Sequence, residues 1–352
     1  MLRSSLLVLA VIVAATAAAC GDSTLYPWEP VEMKVPCPPT TMLGFAAVAG
    51  DGADGGVGQA TTGGGTEAAV PVSDVAGLTA ELQRPADQPR VILLTGMLTL
   101  TAPIKVTLDR DVRGGNKTVI GAGANSGLTG AGLDLSYTDN VIVQHIKISK
   151  AAAGEGDAIT LLNTHHVWID HCDLSSDRDD TTSGYDGLVD ITHGSSFVTI
   201  SWTVFHDHKD TSLVGHTADP AQQTEDSALR VTYHHNLFSK IGSGPRIRWG
   251  IAHVANNLFR DVITFGVVSE SEAYVNVVRN MFDDDVSLPI ATTYQDPTSG
   301  TMDEVGDRFP RNFPIDIMRP TIAPQPLPYA YTPDNADSVS TLVSSCAGTG
   351  KL

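Results

Sequence analysis

Positive charge is scarce in this chain: 22 Lys and Arg stand against 40 Asp and Glu, a formal net charge of −18 over 352 residues. Nucleic-acid binding rests on neutralising phosphates with basic side chains, so this balance argues against DNA or RNA as the partner. The same acidity means that a polyanionic substrate would meet like charge. Aromatic residues are few, at 6%, while Gly (33) and Pro (20) are plentiful. Such a mixture suits a fold of many short strands and many turns. Beyond the N-terminus no stretch approaches the ~20 apolar residues of a membrane span. Helical zinc-protease spacing is missing too. The close histidine pairs are His165-His166, His206-Asp207-His208 and His234-His235, none of them i, i+4, so structural roles are expected for most.

The N-terminus does carry an apolar run. Arg3 is followed by Leu6 to Ala19, interrupted only by Thr16 and ending at Ala17-Ala18-Ala19-Cys20. A short apolar core with small residues before the cut reads as a signal peptide over 1–19, and hence as an exported, extracellular protein. Cys20 after three small residues also resembles a lipoprotein cleavage site, which would anchor the chain by lipid; ordinary cleavage would leave Cys20 free or paired. Pro27, Pro30, Pro36, Pro38 and Pro39 make 20–41 a Pro-rich tether. The folded domain is expected over 42–352, as a monomer. Export favours disulfides. Cys37 and Cys346 lie near the two ends of the folded region and can pair if Cys20 carries lipid. Cys172, inside an apolar alternating stretch, reads as a buried small hydrophobe.

A Gly-rich loop over 50–65 precedes one expected helix, Ser73–Gln83, capped by Ser73 or Asp74, with Val75, Leu78 and Leu82 on its buried face. Short β-branched runs then recur every 20 to 35 residues or so: 91–94, 118–120, 141–143, 166–169, 198–200, 230–232, 252–254 and 275–277. That period is the mark of a solenoid, whose coils bury their inner faces only by stacking. A β-sandwich would turn more often, about every 8–12 residues. Asn140, Asn163, Asn236, Asn256, Asn257 and Asn280 flank the runs. Asn tolerates the backbone of a solenoid corner and can hydrogen-bond the next coil.

Three clusters can carry chemistry. Asp186 and Asp190, four apart on one strand, would share a face, and Asp157 lies about one coil earlier beside Glu155. Coils stack at about 4.8 Å, so three carboxylates can converge, and such oxygen ligands suit Ca²⁺. Solvated aspartates at strand ends are the bland alternative. Arg246 and Arg248 share a face by the same alternation and can hold a carboxylate between them; a surface ion-pair cluster is the commoner reading of such a pair.

The run Val167-Trp168-Ile169-Asp170-His171-Cys172-Asp173-Leu174-Ser175, the segment Phe205–His216, and Val231–Phe238 followed by Pro245–Asn257 resemble, in order, the motifs of family 1 pectate lyases. The resemblance implies an all-β chain wound as a right-handed, single-stranded parallel β-helix. It also implies Ca²⁺-dependent β-elimination of an acidic polysaccharide, de-esterified polygalacturonate. Asp157, Asp186 and Asp190 fall where that family places calcium ligands, with Glu155 near an additional site. Related pectin lyases lack this acidic set. Calcium bridging enzyme and substrate carboxylates would answer the like-charge problem.

Two departures stand out. The family's base is an Arg before the x-Pro of the basic segment; here Ile241-Gly242-Ser243-Gly244-Pro245 is one residue short and that Arg is missing. The family's substrate-binding Lys falls on Asp210, with Lys209 one step earlier. Arg246 and Arg248 are therefore the expected catalytic residues, with Lys209 and Lys240 as substrate-binding groups and Lys240 as an alternative base. A non-catalytic pectate-binding relative is a second reading. A third is a hydrolase: Asp179-Asp180, Gly215-His216 and Arg246-Ile247-Arg248 resemble polygalacturonase motifs, but His165 stands after Asn163-Thr164 where that class needs an Asp.

Overall fold

All eight β-branched runs become consecutive strands of one parallel sheet in the computed structural model, which describes residues 36–50, 58–181, 184–311, 313, 317 and 325–351. The sheet has ten strands, opening with Ala69–Val72 and closing with Thr301–Val305. Register explains why the runs recur. Val141, Val167, Val198, Val231, Ala252 and Val275 are aligned neighbours, each buried completely. Burying each valine contributes roughly 1.5–3 kcal/mol, and it is realised only when the next coil is present.

A second set of fourteen strands forms the rest of the wall. Two long members, Val204–Val214 and Leu237–Arg248, join its two strips. The first pairs with Asp173–Ser175 near its start and with Val189–Thr192 at its end. Parallel pairing throughout, with each strand followed by its neighbour one turn later, makes the chain an all-β parallel β-helix.

The interior is built from ladders of like residues. Phe205, Phe238, Phe259, Phe282 and Phe309 stack with centroids 4.6, 4.7, 4.7 and 5.4 Å apart, close to the spacing of the strands that carry them. Asparagines serve in two ways. Asn140, Asn163 and Asn256 sit at corners with φ of 58°, 52° and 53°. Asn236, Asn257 and Asn280 instead form a buried ladder. The Asn257 amide accepts from Asn236 and donates to the Asn280 side chain and the Tyr233 carbonyl.

The helix runs from Val75 to Leu82, capped by Asp74, whose side chain accepts from the Gly77 N–H. Leu78 and Leu82 are buried, but Val75 is 38% exposed. It occupies the first turn, before the helix meets the sheet, so its expected burial does not occur. Cys37 and Cys346 are joined in a disulfide that ties the start of the described chain to the closing helix Ala336–Cys346. Cys172 is free and buried, and burial pushes its thiol up to about 12. No helix among the described residues is long and apolar enough to cross a membrane. The signal segment, Cys20 and most of the tether lie outside the described residues.

Candidate active site

Three of the expected ligands converge. One carboxylate oxygen from each of Asp157, Asp186 and Asp190 lies within 4.8 Å of the others. Asp157 and Asp190 sit on neighbouring coils, whose strands Ile159–Leu162 and Val189–Thr192 pair in parallel. Asp186 reaches them differently from the strand alternation expected of it. It lies in the loop before Val189–Thr192, and its N–H donates to the Gly156 carbonyl at 3.1 Å. The glycines here are structural requirements. A Cβ on Gly187 would fall 2.3 Å from the Asp190 carboxylate, and Gly156 has a φ of +92°.

Two of the three carboxylates are oriented by hydrogen bonds. Asp157 accepts from the Gly187 N–H and the Thr160 hydroxyl, both at 2.9 Å, and Asp190 accepts from the Leu213 N–H at 3.0 Å. Burial pushes Asp190 well above the usual carboxylate range, and the charges of Asp157, Asp186 and Asp210 act in the same direction. Burial raises Asp157 likewise, against the hydrogen bonds from Thr160 and Gly187, and the charges of Asp186 and Glu155 add to the rise. Carboxylates gathered this closely repel one another, and a cation held between them would relieve that repulsion. The donor set, all oxygen, fits Ca²⁺.

The trio opens into a groove of about 560 Å³. Glu155 lines this groove and is exposed, outside the tight trio. Lys105 and Arg110 line it as well. A second groove of about 350 Å³ is lined by Lys209, Asp210, Ser243 and Arg246, and the two grooves share Leu213.

The expected catalytic arginines are already engaged. Arg246 donates through Nε to Glu270 at 2.7 Å and through Nη2 to Asp296 at 2.8 Å. Arg248 grips Asp296 with both ends of its fork, at 2.7 and 3.2 Å. The two do share a face and do hold a carboxylate, but it is the chain's own. Burial works against ionisation of Asp296; the hydrogen bonds from Arg248 and Ser271 outweigh it and hold the carboxyl below the usual range. Sequence reasoning missed Glu270 and Asp296, because nothing in Ser269-Glu270-Ser271 or Gln295-Asp296 marks them as partners of residues about 24 to 50 positions away.

Lys209 has a side chain 71% exposed, held only by a 3.9 Å contact to Asp210. Adjacent on the strand, both are exposed and both line the second groove, so inside–outside alternation does not operate there. Ser243, aligned with Asp210 on the next coil, donates its hydroxyl to that carboxylate at 2.6 Å. The register shifts between Ile241 and Ser243 against the following coil, at the segment read as one residue short. Lys240 sits at a corner with a φ of 55° and lines neither groove.

Comparison with known proteins agrees with this architecture. The sequence model of a family described as pectate lyase matches residues 34–352. Pectate lyase B of Colletotrichum gloeosporioides is 37% identical over 274 residues, covering 75% of this chain and 80% of that protein. A probable pectate lyase A of Aspergillus niger is 43% identical over 182 residues, or 51% of this chain, and the match spans only 56% of that relative's length. Among solved structures, a pectate lyase from Bacillus sp. N165 in complex with trigalacturonate superposes with a TM-score of 0.77 at 28% identity, over 88% of this chain and 99% of that one. With a family match across nearly all of the described fold, this chain belongs to the pectate lyase family.

Proposed function

We propose that this protein is an exported, Ca²⁺-dependent lyase that cleaves de-esterified polygalacturonate by β-elimination. The observation that carries the reading is the convergence of Asp157, Asp186 and Asp190 within 4.8 Å at the floor of a groove. Carboxylates gathered there are suited to holding a hard cation, and an acidic sugar polymer is the substrate that such a cation can attach to an acidic protein. The likeness to a pectate lyase crystallised with trigalacturonate supports the same substrate class.

β-Elimination takes the proton from C5 beside the uronate carboxylate. The electron pair forms a C4–C5 double bond, and the glycosidic oxygen leaves C4 with a proton. Calcium in the site would supply positive charge shared between the aspartates and the substrate carboxylate, lowering the cost of the developing negative charge. The remaining work falls to side chains of the chain. Asp157 is fixed by Gly187 and Thr160, and Asp190 by Leu213, so the ligand oxygens are oriented before binding. Lys105 and Arg110 offer cationic contacts along the first groove. In the second groove Arg246 is pinned by Glu270 and Asp296, which already balance its charge, so it shapes the groove wall and adds no net positive charge. Lys209, loosely held and long enough to sweep the groove, is the group assigned to accept the C5 proton.

The experiment is incubation with polygalacturonate and with highly methylated pectin, following both ultraviolet absorbance and new reducing ends. Unsaturated product from polygalacturonate, and little from methylated pectin, is expected. New reducing ends without unsaturation would point to hydrolysis, and binding with neither product would point to a non-catalytic relative.

A further inference from the structure

We propose that His193, His216 and Glu225 form a second metal site, of the zinc type, at the edge of the groove that holds the aspartate trio. One ligand atom from each of these three lies within 4.8 Å of the others. Two imidazoles and a carboxylate, with a fourth position left open, are a zinc donor set. Imidazole nitrogen favours zinc, copper or nickel, whereas the all-carboxylate trio favours calcium, so the two sites would select different ions. The calcium reading is not needed for this one.

Orientation of His216 is the first independent support. Its Nδ1 lies 2.6 Å from the carboxylate of Asp226, which is completely buried and also accepts from the His216 and Gly194 N–H groups at 2.8 and 2.9 Å. Nδ1 is therefore the protonated nitrogen and Nε2 carries the free lone pair. A carboxylate behind the far nitrogen of a histidine is the usual support of a metal ligand, since it fixes tautomer and ring direction.

The turn around Gly194 is the second. Gly194 has a φ of +74°, and a Cβ there would fall 3.1 Å from the Cβ of Glu225. A side chain at this left-handed position would be strained and would crowd Glu225. His193 stacks on His216 with ring centroids 4.0 Å apart and planes tilted by 16°, so a shared ion would require the partly exposed His193 ring to turn out of the stack and aim its lone pair at the ion. Tetrahedral zinc with bonds of about 2.0–2.1 Å brings its ligand atoms to roughly 3.3 Å of one another. Rotamer adjustment of Glu225 and His193, neither of them fully buried, can supply the contraction.

His193 and His216 both line the 560 Å³ groove. The open position of a bound ion would face that groove and take water or an oxygen of the sugar chain. The site would thus add a contact for the polymer beyond the calcium trio.

The test uses the full chain, stripped with chelator, titrated with Co²⁺ and followed by visible absorption, then with Zn²⁺ by calorimetry. Expected are the strong visible bands of four-coordinate Co²⁺, one ion per chain, displaced by Zn²⁺ and retained in Asp157→Asn and Asp186→Asn. His193→Ala and Glu225→Gln should each weaken Zn²⁺ at least ~10-fold, and Asp226→Asn by about 10–100-fold. Because Asp226 also holds backbone groups, its variant counts only with an unchanged melting temperature; His193→Ala, on a partly exposed residue, carries the test regardless. Absence of Co²⁺ bands and of Zn²⁺ heat would overturn the proposal. So would Zn²⁺ affinity unchanged in His193→Ala, or lost in Asp157→Asn instead.

Discussion

Removing one charge from the aspartate trio should stabilise the metal-free protein. Asp190→Asn keeps an oxygen to accept from the Leu213 N–H and removes the repulsion with Asp157. Two unit charges no more than 4.8 Å apart repel by at least about 1 kcal/mol in water and about 3.5 kcal/mol at an effective dielectric of ~20. The pair lies between these limits, so a gain of about 1–3 kcal/mol is expected, or roughly 2–5 °C in melting temperature. The sign of the pH dependence follows. Asp190 has a folded-state pKa raised above its ordinary value. Its contribution to stability is thus favourable at low pH and is lost as the pH climbs through the raised value. The advantage of Asp190→Asn should therefore be absent near pH 4 and grow toward neutrality. Calcium should reverse the order: at 100 times its dissociation constant a ligand adds about 2.7 kcal/mol to the parent, and the variant should gain far less. Thermal melts in chelator and in calcium, at several pH values, decide the matter. A variant less stable than the parent in chelator at neutral pH, yet equally stabilised by calcium, would refute the reasoning.

Arg246→Ala strands the fully buried Glu270 and should cost about 3 kcal/mol, read as a drop in urea midpoint; a surface-like loss below ~1 kcal/mol would show that the pair is not structural. Asn257→Ala opens the asparagine ladder at a residue that is completely buried and joined to coils on both sides, so a loss of about 2–4 kcal/mol in denaturant unfolding is expected. If Lys209 accepts the C5 proton, Lys209→Ala should lose at least ~100-fold in kcat with little change in KM; an unaltered kcat in Lys209→Ala would remove it from the reaction.

Much of the fold could be read directly because a solenoid repeats its instructions. Each β-branched run faces another of its kind one coil later, so a local pattern reports a global contact. The same logic placed Asp157 one coil before Asp190, although the residue aligned with Asp190 is Thr160. It reached Asp186 for the wrong reason, since that residue arrives through a loop anchored on Gly156. The arginines show the limit more sharply. Their shared face follows from alternation, and Glu270 is aligned with Arg248 on the next coil, but that strand is not one of the β-branched runs, and Asp296 comes from a loop where no period operates. Lys209 and Asp210 break alternation where the strand Val204–Val214 turns between two strips of the wall. His193, His216 and Glu225 escaped notice because their spacings of 23 and 9 residues match no local metal motif; only the stacking of coils brings them together.

The most direct test of calcium-dependent elimination is the initial rate of unsaturated product from polygalacturonate as a function of free Ca²⁺, in the parent and in Asp186→Asn. The parent should form no product in chelator and show a saturable rise with calcium, and Asp186→Asn should need at least ~10-fold more calcium for half-maximal rate. A rate unaffected by chelator, or a calcium dependence identical in the two proteins, would contradict the assignment of the metal to the aspartate trio.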